Sequence, residues 1–139
     1  MAYQHKIRVA WGDCDPANIV YTARIPWFAL DAINGWWEEK FGGGWYQMEM
    51  DHGFGSPFVN MNLDFRAPIT PRHRLICEVA PTRLGRTSID WRVVGRQDGV
   101  TCFEGRFTCV FTDARSFTKA PPPDEVKALI EAHLEPSAE

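Results

Sequence analysis

Between positions 5 and 11 apolar and polar residues alternate. Ile7, Val9 and Trp11 share one parity; Lys6, Arg8 and Ala10 share the other. A two-residue period predicts a half-buried strand, halted by the turn formers Gly12-Asp13-Cys14-Asp15-Pro16. From 24 to 40 the period lengthens. Ile25, Phe28, Ala29, Ala32, Ile33, Trp36 and Trp37 recur at helical spacings, and Trp27 and Leu30 fill further positions. This predicts a long helix, apolar around most of its girth and therefore buried. Pro26 suits its first turn, and Gly42-Gly43-Gly44 ends it. Residues 45–57 read as a loop closing at Gly53-Phe54-Gly55-Ser56-Pro57.

Alternation then resumes, with Val59, Met61, Leu63 and Phe65 set against Asn60, Asn62, Asp64 and Arg66, until Ala67-Pro68. Three more strands are expected near 74–81, 87–96 and 100–112. Gln97-Asp98-Gly99 joins the last two as a hairpin. Pro121-Pro122-Pro123 precedes an amphipathic helix with the stripe Val126, Leu129, Ile130, His133 and Leu134. Asp124 and Glu125 occupy its first turn, where the helix dipole favours anions.

The order strand, long helix, four strands, short helix predicts an α+β domain spanning 1–139. A five-stranded antiparallel sheet could wrap around the one long helix. A single sheet covers one side of that helix, so a second subunit is expected to cover more.

The length of 139 residues suits one domain. The net charge of −3 argues against nucleic acid as a partner. No stretch approaches the roughly 20 apolar residues that span a bilayer, and the N-terminus lacks an apolar signal core. A cytoplasmic protein without a membrane partner is the expectation. Cys14, Cys77, Cys102 and Cys109 form no CxxC pair, so neither a metal site nor a disulfide framework is expected. No cofactor is called for. There is no HExxH and no GxSxG, since Ser56 lies in Gly55-Ser56-Pro57.

The run Gly12-Asp13-Cys14-Asp15-Pro16-Ala17-Asn18-Ile19-Val20-Tyr21 closely resembles the signature loop of the 4-hydroxybenzoyl-CoA thioesterase family. The likeness continues through Leu30-Asp31-Ala32, Gly55-Ser56-Pro57, Asp64-Phe65-Arg66-Ala67-Pro68 and Pro121-Pro122-Pro123-Asp124-Glu125-Val126. Three departures stand out: Asn18 replaces the family's usual Gly, Thr22-Ala23-Arg24-Ile25-Pro26 lacks its common Tyr- and His-rich pattern, and the stretch from Val20 to Asp31 is one residue longer than typical. The resemblance implies the hotdog fold, in which a sheet curls round one long helix, assembled as a homodimer or homotetramer. It implies an acyl-CoA substrate, aromatic or of short to medium chain.

The resemblance also makes Asp15 the catalytic carboxylate. A thioester is reactive enough for a lone carboxylate to attack it or to activate water. From spacing alone, Asp15 reads first as a turn or helix cap, and Asp13 as a structural turn residue. By the same likeness the backbone amide of Thr22, at the helix start, would grip the thioester oxygen. Asp31 would hold substrate or water, or make a structural contact. Tyr21, Trp27, Gly55 and Ser56 are candidate substrate contacts. Arg83, Arg86 and Ser88 are candidates for the phosphates of CoA. Two rivals remain: a hotdog dehydratase or hydratase, which would want a histidine beside the acid, and a non-catalytic acyl-ligand binder.

Overall fold

The computed structural model describes residues 2–136; position 1 and positions 137–139 of the expected domain lie outside them. The strands, in chain order, are β1 (Tyr3–Ile7), β2 (Phe54–Gly55), β3 (Phe58–Phe65), β4 (Leu75–Leu84), β5 (Ser88–Gln97), β6 (Val100–Val110) and β7 (Thr112–Asp113). Five of them form one antiparallel sheet in the order β1-β4-β5-β6-β3, and β2 pairs with β7. The helices are α1 (Arg24–Lys40), α2 (Trp45–His52) and α3 (Asp124–Ala132).

The period-2 pattern sends Leu75, Cys77, Val79, Ile89, Trp91, Val93, Phe103 and Phe107 to one face, where all are buried. Against that face lies α1, burying Ile25, Phe28, Ala29, Ala32, Ile33, Trp36 and Trp37. Trp36, Trp37 and Trp91 meet edge to face, with centroids 4.9 to 5.8 Å apart, a preferred geometry for aromatic rings. This is the hotdog architecture. At the β5–β6 hairpin Asp98 (φ 49°) and Gly99 (φ 76°) both take the left-handed conformation that a two-residue turn of the favoured twist demands. The closing helix α3 buries Val126 and Ile130 of its stripe.

The short β2–β7 ladder was not expected, and two further elements differ from expectation. The first strand ends at Ile7 rather than at 11, and Trp11–Asp13 forms a 3-10 turn. Asp13 causes this: its amide donates to the Ala10 carbonyl at 3.0 Å, and its carboxylate accepts the Ala10 N–H at 2.8 Å. The chain therefore turns before the alternation is spent. The second difference is α2, where a loop was expected. The Gln47 side chain accepts the Gly44 N–H at 3.0 Å, and Asn34 of α1 accepts the Trp45 N–H at 2.8 Å. A Cβ at Gly44 would come within 2.5 Å of Asn34 Oδ1, so only glycine permits this cap. Met48 is the one buried residue of α2, too little apolar signal to reveal a period. Gly53, at φ 75°, ends the helix.

One face of α1 stays open. Trp27 is 66% exposed, and Asp31 follows one turn along on the same side. The helix packs on β1, β4 and β5 and leaves the β3 edge uncovered.

Candidate active site

The loop between β1 and α1 is held almost entirely by its own backbone. Asp15 N–H donates to the Ile19 carbonyl at 2.9 Å, and Asn18 N–H to the Asp15 carbonyl at 2.9 Å. Cys14 bridges Val20, and Val20 N–H reaches the Ile69 carbonyl at 2.8 Å. The turn needs a left-handed residue at its tip. Asn18 supplies it with φ 64°, and asparagine tolerates that conformation better than most residues do. This accounts for its standing where the resembled family has Gly.

Asp13 and Asp15 emerge with different duties. Asp13 is fully engaged: Oδ2 accepts the Ala10 N–H, Oδ1 pairs with Arg24 Nε at 3.1 Å, and its carbonyl accepts the Tyr21 N–H at 2.9 Å. It ties the loop to the first turn of α1. Asp15 Oδ1 accepts the Ala17 N–H at 2.8 Å, and Oδ2 accepts no hydrogen bond from the described residues. The turn-capping contact read from sequence is therefore present, and it uses one oxygen of two.

Gly12, Asp13, Cys14, Asp15, Tyr21, Ala23, Arg24 and Trp27 line an open cleft of about 360 Å³. The leading end of α1 forms one wall. Arg24 N–H donates to the Tyr21 carbonyl and Ile25 N–H to that of Thr22. The amides of Thr22 and Ala23 donate to no acceptor among the described residues. Free amides at a helix start carry the positive end of its dipole. The cleft thus combines a half-committed carboxylate, uncommitted N–H groups and two exposed aromatics, Tyr21 (58%) and Trp27 (66%). That set can bind a polarised carbonyl and bring an oxygen nucleophile to it.

Of the residues singled out from sequence, Asp15, Tyr21 and Trp27 come together here; Thr22 lies between the lining residues Tyr21 and Ala23 but is not itself in the lining. The others lie elsewhere on the single chain. Asp31 accepts from His5 Nε2 at 3.1 Å, and His5 Nδ1 meets the Tyr3 hydroxyl at 2.9 Å. Gly55 and Ser56 are buried beside the short β2–β7 ladder. A side chain at 55 would strike the Glu49 carboxylate, and Ser56 Oγ has no partner among the described residues. Arg83 is paired with Asp90 at 2.8 Å and donates to Ser88 Oγ at 3.4 Å. Arg86 lines a separate depression with Pro121, Pro122 and Lys127.

Sequence reasoning did not name Arg24 or Ala23 as parts of the cleft. Arg24 answers to Asp13, eleven positions away across a turn, and no local period encodes that pairing. No group of acids, cysteines and histidines among the described residues is arranged to hold a metal ion. No helix among them is long and apolar enough to cross a membrane.

A family model described as the thioesterase-like superfamily matches residues 9–130. No curated protein matches the chain. Among solved structures, a thioesterase-superfamily protein from a Jannaschia species is 56% identical, with a TM-score of 0.94 over 96% of this chain and 94% of its own. A protein from Pseudomonas aeruginosa is 25% identical, with a TM-score of 0.83 over 99% of this chain and 94% of that one. A 1,4-dihydroxy-2-naphthoyl-CoA thioesterase from Synechocystis is 19% identical, with a TM-score of 0.83 over 94% and 96% of the two chains. At that identity the likeness is one of fold.

Proposed function

The chain belongs to the thioesterase-like superfamily, and from that premise we propose that it hydrolyses acyl-CoA thioesters, with Asp15 as the reacting carboxylate. The carrying observation is one cleft lined by Asp15, with Oδ2 uncommitted, and by Ala23 at the head of α1, where the amides of residues 22 and 23 are free. In the nucleophilic route a carboxylate oxygen attacks the thioester carbon. The C–S bond breaks, and the thiolate leaves and takes up a proton. Water then cleaves the mixed anhydride and restores the carboxylate. In the general-base route Asp15 takes the proton from an attacking water. Either way negative charge gathers on the carbonyl oxygen, and the free amides of Thr22 and Ala23 are the donors we assign to it. One such donor is worth roughly 10²–10³ in kcat.

The exposed rings of Tyr21 and Trp27 favour an acyl group that is aromatic or of short to medium chain, including the 4-hydroxybenzoyl class. The Synechocystis structure of the same fold acts on an aromatic acyl-CoA. We assign the working unit as a homodimer or homotetramer of whole-chain domains, because the cleft is open and its aromatics are uncovered. Across such a seam Asp31, Gly55 and Ser56 would reach substrate, and Arg83, Arg86 and Ser88 would reach the phosphates of CoA.

The test is thiol release from a panel of acyl-CoAs by wild type and Asp15→Asn. The variant is expected to lose at least about a thousandfold in kcat. Equal turnover by both proteins would remove Asp15 from the chemistry. Single turnover in heavy-oxygen water separates the routes, because label appears in Asp15 only if the anhydride forms. The bond from Ala17 to Asp15 Oδ1 is also what a purely structural aspartate would make. A binder built this way would hold acyl-CoA without releasing thiol. A dehydratase would want a histidine in the cleft, and none of its lining residues is one.

A further inference from the structure

The outer face of the sheet, turned away from α1, carries an electrostatic conflict. Arg92 of β5 and Arg106 of β6 are direct cross-strand partners. Residues in such positions have Cβ atoms roughly 4.5–5.5 Å apart, and like charges there are destabilising. The surrounding carboxylates are mostly taken. Asp90 pairs with Arg83 at 2.8 Å, Glu104 with Arg66 at 3.1 Å and Glu78 with Arg96 at 3.6 Å. Neither Arg92 nor Arg106 has an ion-pair partner among the described residues, and of the acids on this face Asp64 alone is likewise unpaired. Asp64 sits on the far side, beside Glu104, lining a depression of about 280 Å³.

On the other side of the arginine pair lies a larger depression, of about 420 Å³. Its charged lining is Arg83, Arg92 and Arg106 against Asp90 alone. Three positive charges less one negative leave +2 there, on a chain whose net charge is −3. Thr108 donates from Oγ1 to Asp90 Oδ1 at 2.8 Å, which further turns that carboxylate toward its own neighbours.

We propose that this depression is a binding site for a phosphate group, gripped between the guanidinium groups of Arg92 and Arg106. Arginine presents a planar fork of donors that matches phosphate oxygens two at a time. A bound dianion would also relieve the repulsion between the two cations. The phosphate has two possible sources: a free or otherwise phosphorylated small molecule, or the 3′-phosphate of a CoA substrate. The proposal does not require that the chain be a thioesterase.

Inorganic phosphate is titrated calorimetrically into the full chain in chloride buffer at constant ionic strength. Wild type is expected to bind one phosphate per chain. Arg92→Gln and Arg106→Gln should each weaken binding by about tenfold or more. Without phosphate, each variant should melt at the wild-type temperature or higher, because the like-charge contact is gone. Asp90→Asn removes the single opposing charge and should tighten binding. No binding by wild type, or equal binding by wild type and both glutamine variants, overturns the proposal. Competition then identifies the source. CoA displacing phosphate while dephospho-CoA does not points to the substrate's own 3′-phosphate; displacement by neither points to a separate ligand.

Discussion

Asp13 and Asp15 are two residues apart and chemically identical, and their surroundings divide the work between them. Asp13 spends both oxygens on Ala10 and Arg24, whereas Asp15 keeps one oxygen uncommitted. Cys14 stands between them in the cleft, half-buried, and the other three thiols are placed very differently. Burial pushes the thiols of Cys77 and Cys109 up to about 12 and raises that of Cys102. The thiolate is the reactive species, so these three are inert near neutrality. Brief iodoacetamide treatment of the folded protein at pH 8 is therefore expected to give one adduct, at Cys14, and to block thioester turnover by filling the cleft. Peptide mass mapping that found Cys77 or Cys109 labelled as fast would refute this. At this scale much was legible beforehand, since Asp15 and Asp13 could be named from a ten-residue run. Arg24 could not, because its role depends on where a turn delivers it.

Gly35 shows how one position in α1 decides the seating of a whole strand. An added Cβ would lie 2.5 Å from His5 Nδ1 and 2.8 Å from the Tyr3 hydroxyl. The bare helix surface here lets β1 lie close, with the Tyr3–His5–Asp31 chain of hydrogen bonds locked across the contact. Gly35→Ala sets two effects against each other. Helix propensity gains ~1 kcal/mol, while overpacking costs ~1–3 kcal/mol and the strained Tyr3–His5 bond about 1 kcal/mol more. The loss is expected to win by roughly 1–3 kcal/mol in urea unfolding. In a Tyr3→Phe, His5→Ala background, where the hydroxyl and the imidazole are both gone, the same substitution should turn stabilising. A stabilising effect in the wild-type background would show that β1 can move away without cost. The long helix and the alternating strands were readable in advance because their periods repeat over many residues. The helix α2 was not, since one of its caps comes from Asn34 on another element and it buries a single side chain.

At the scale of the whole molecule the uncovered feature is the β3 edge. Met61 and Phe65 pair with the buried Phe107 and Phe103 and so point to the core side of the sheet. They are nonetheless 46% and 51% exposed, because α1 lies toward the β1 side and does not reach them. An apolar edge strand of this kind invites a second copy. Met61→Glu is expected to shift the sedimenting species to monomer and to lower thioester turnover together, if the cleft is completed across that seam. An unchanged mass would place the contact elsewhere. By itself the amino-acid sequence determined the α+β class, the run of strands around one helix and the turn-rich loop that carries Asp13 and Asp15. Each of these is written in spacings of a few residues, where a local period reports a local conformation. Only the tertiary structure decided that Asp31 answers to His5, that Arg24 holds Asp13, and that Arg92 faces Arg106 across two strands. Those pairings depend on strand register and chain closure, which bring together residues that no local period relates.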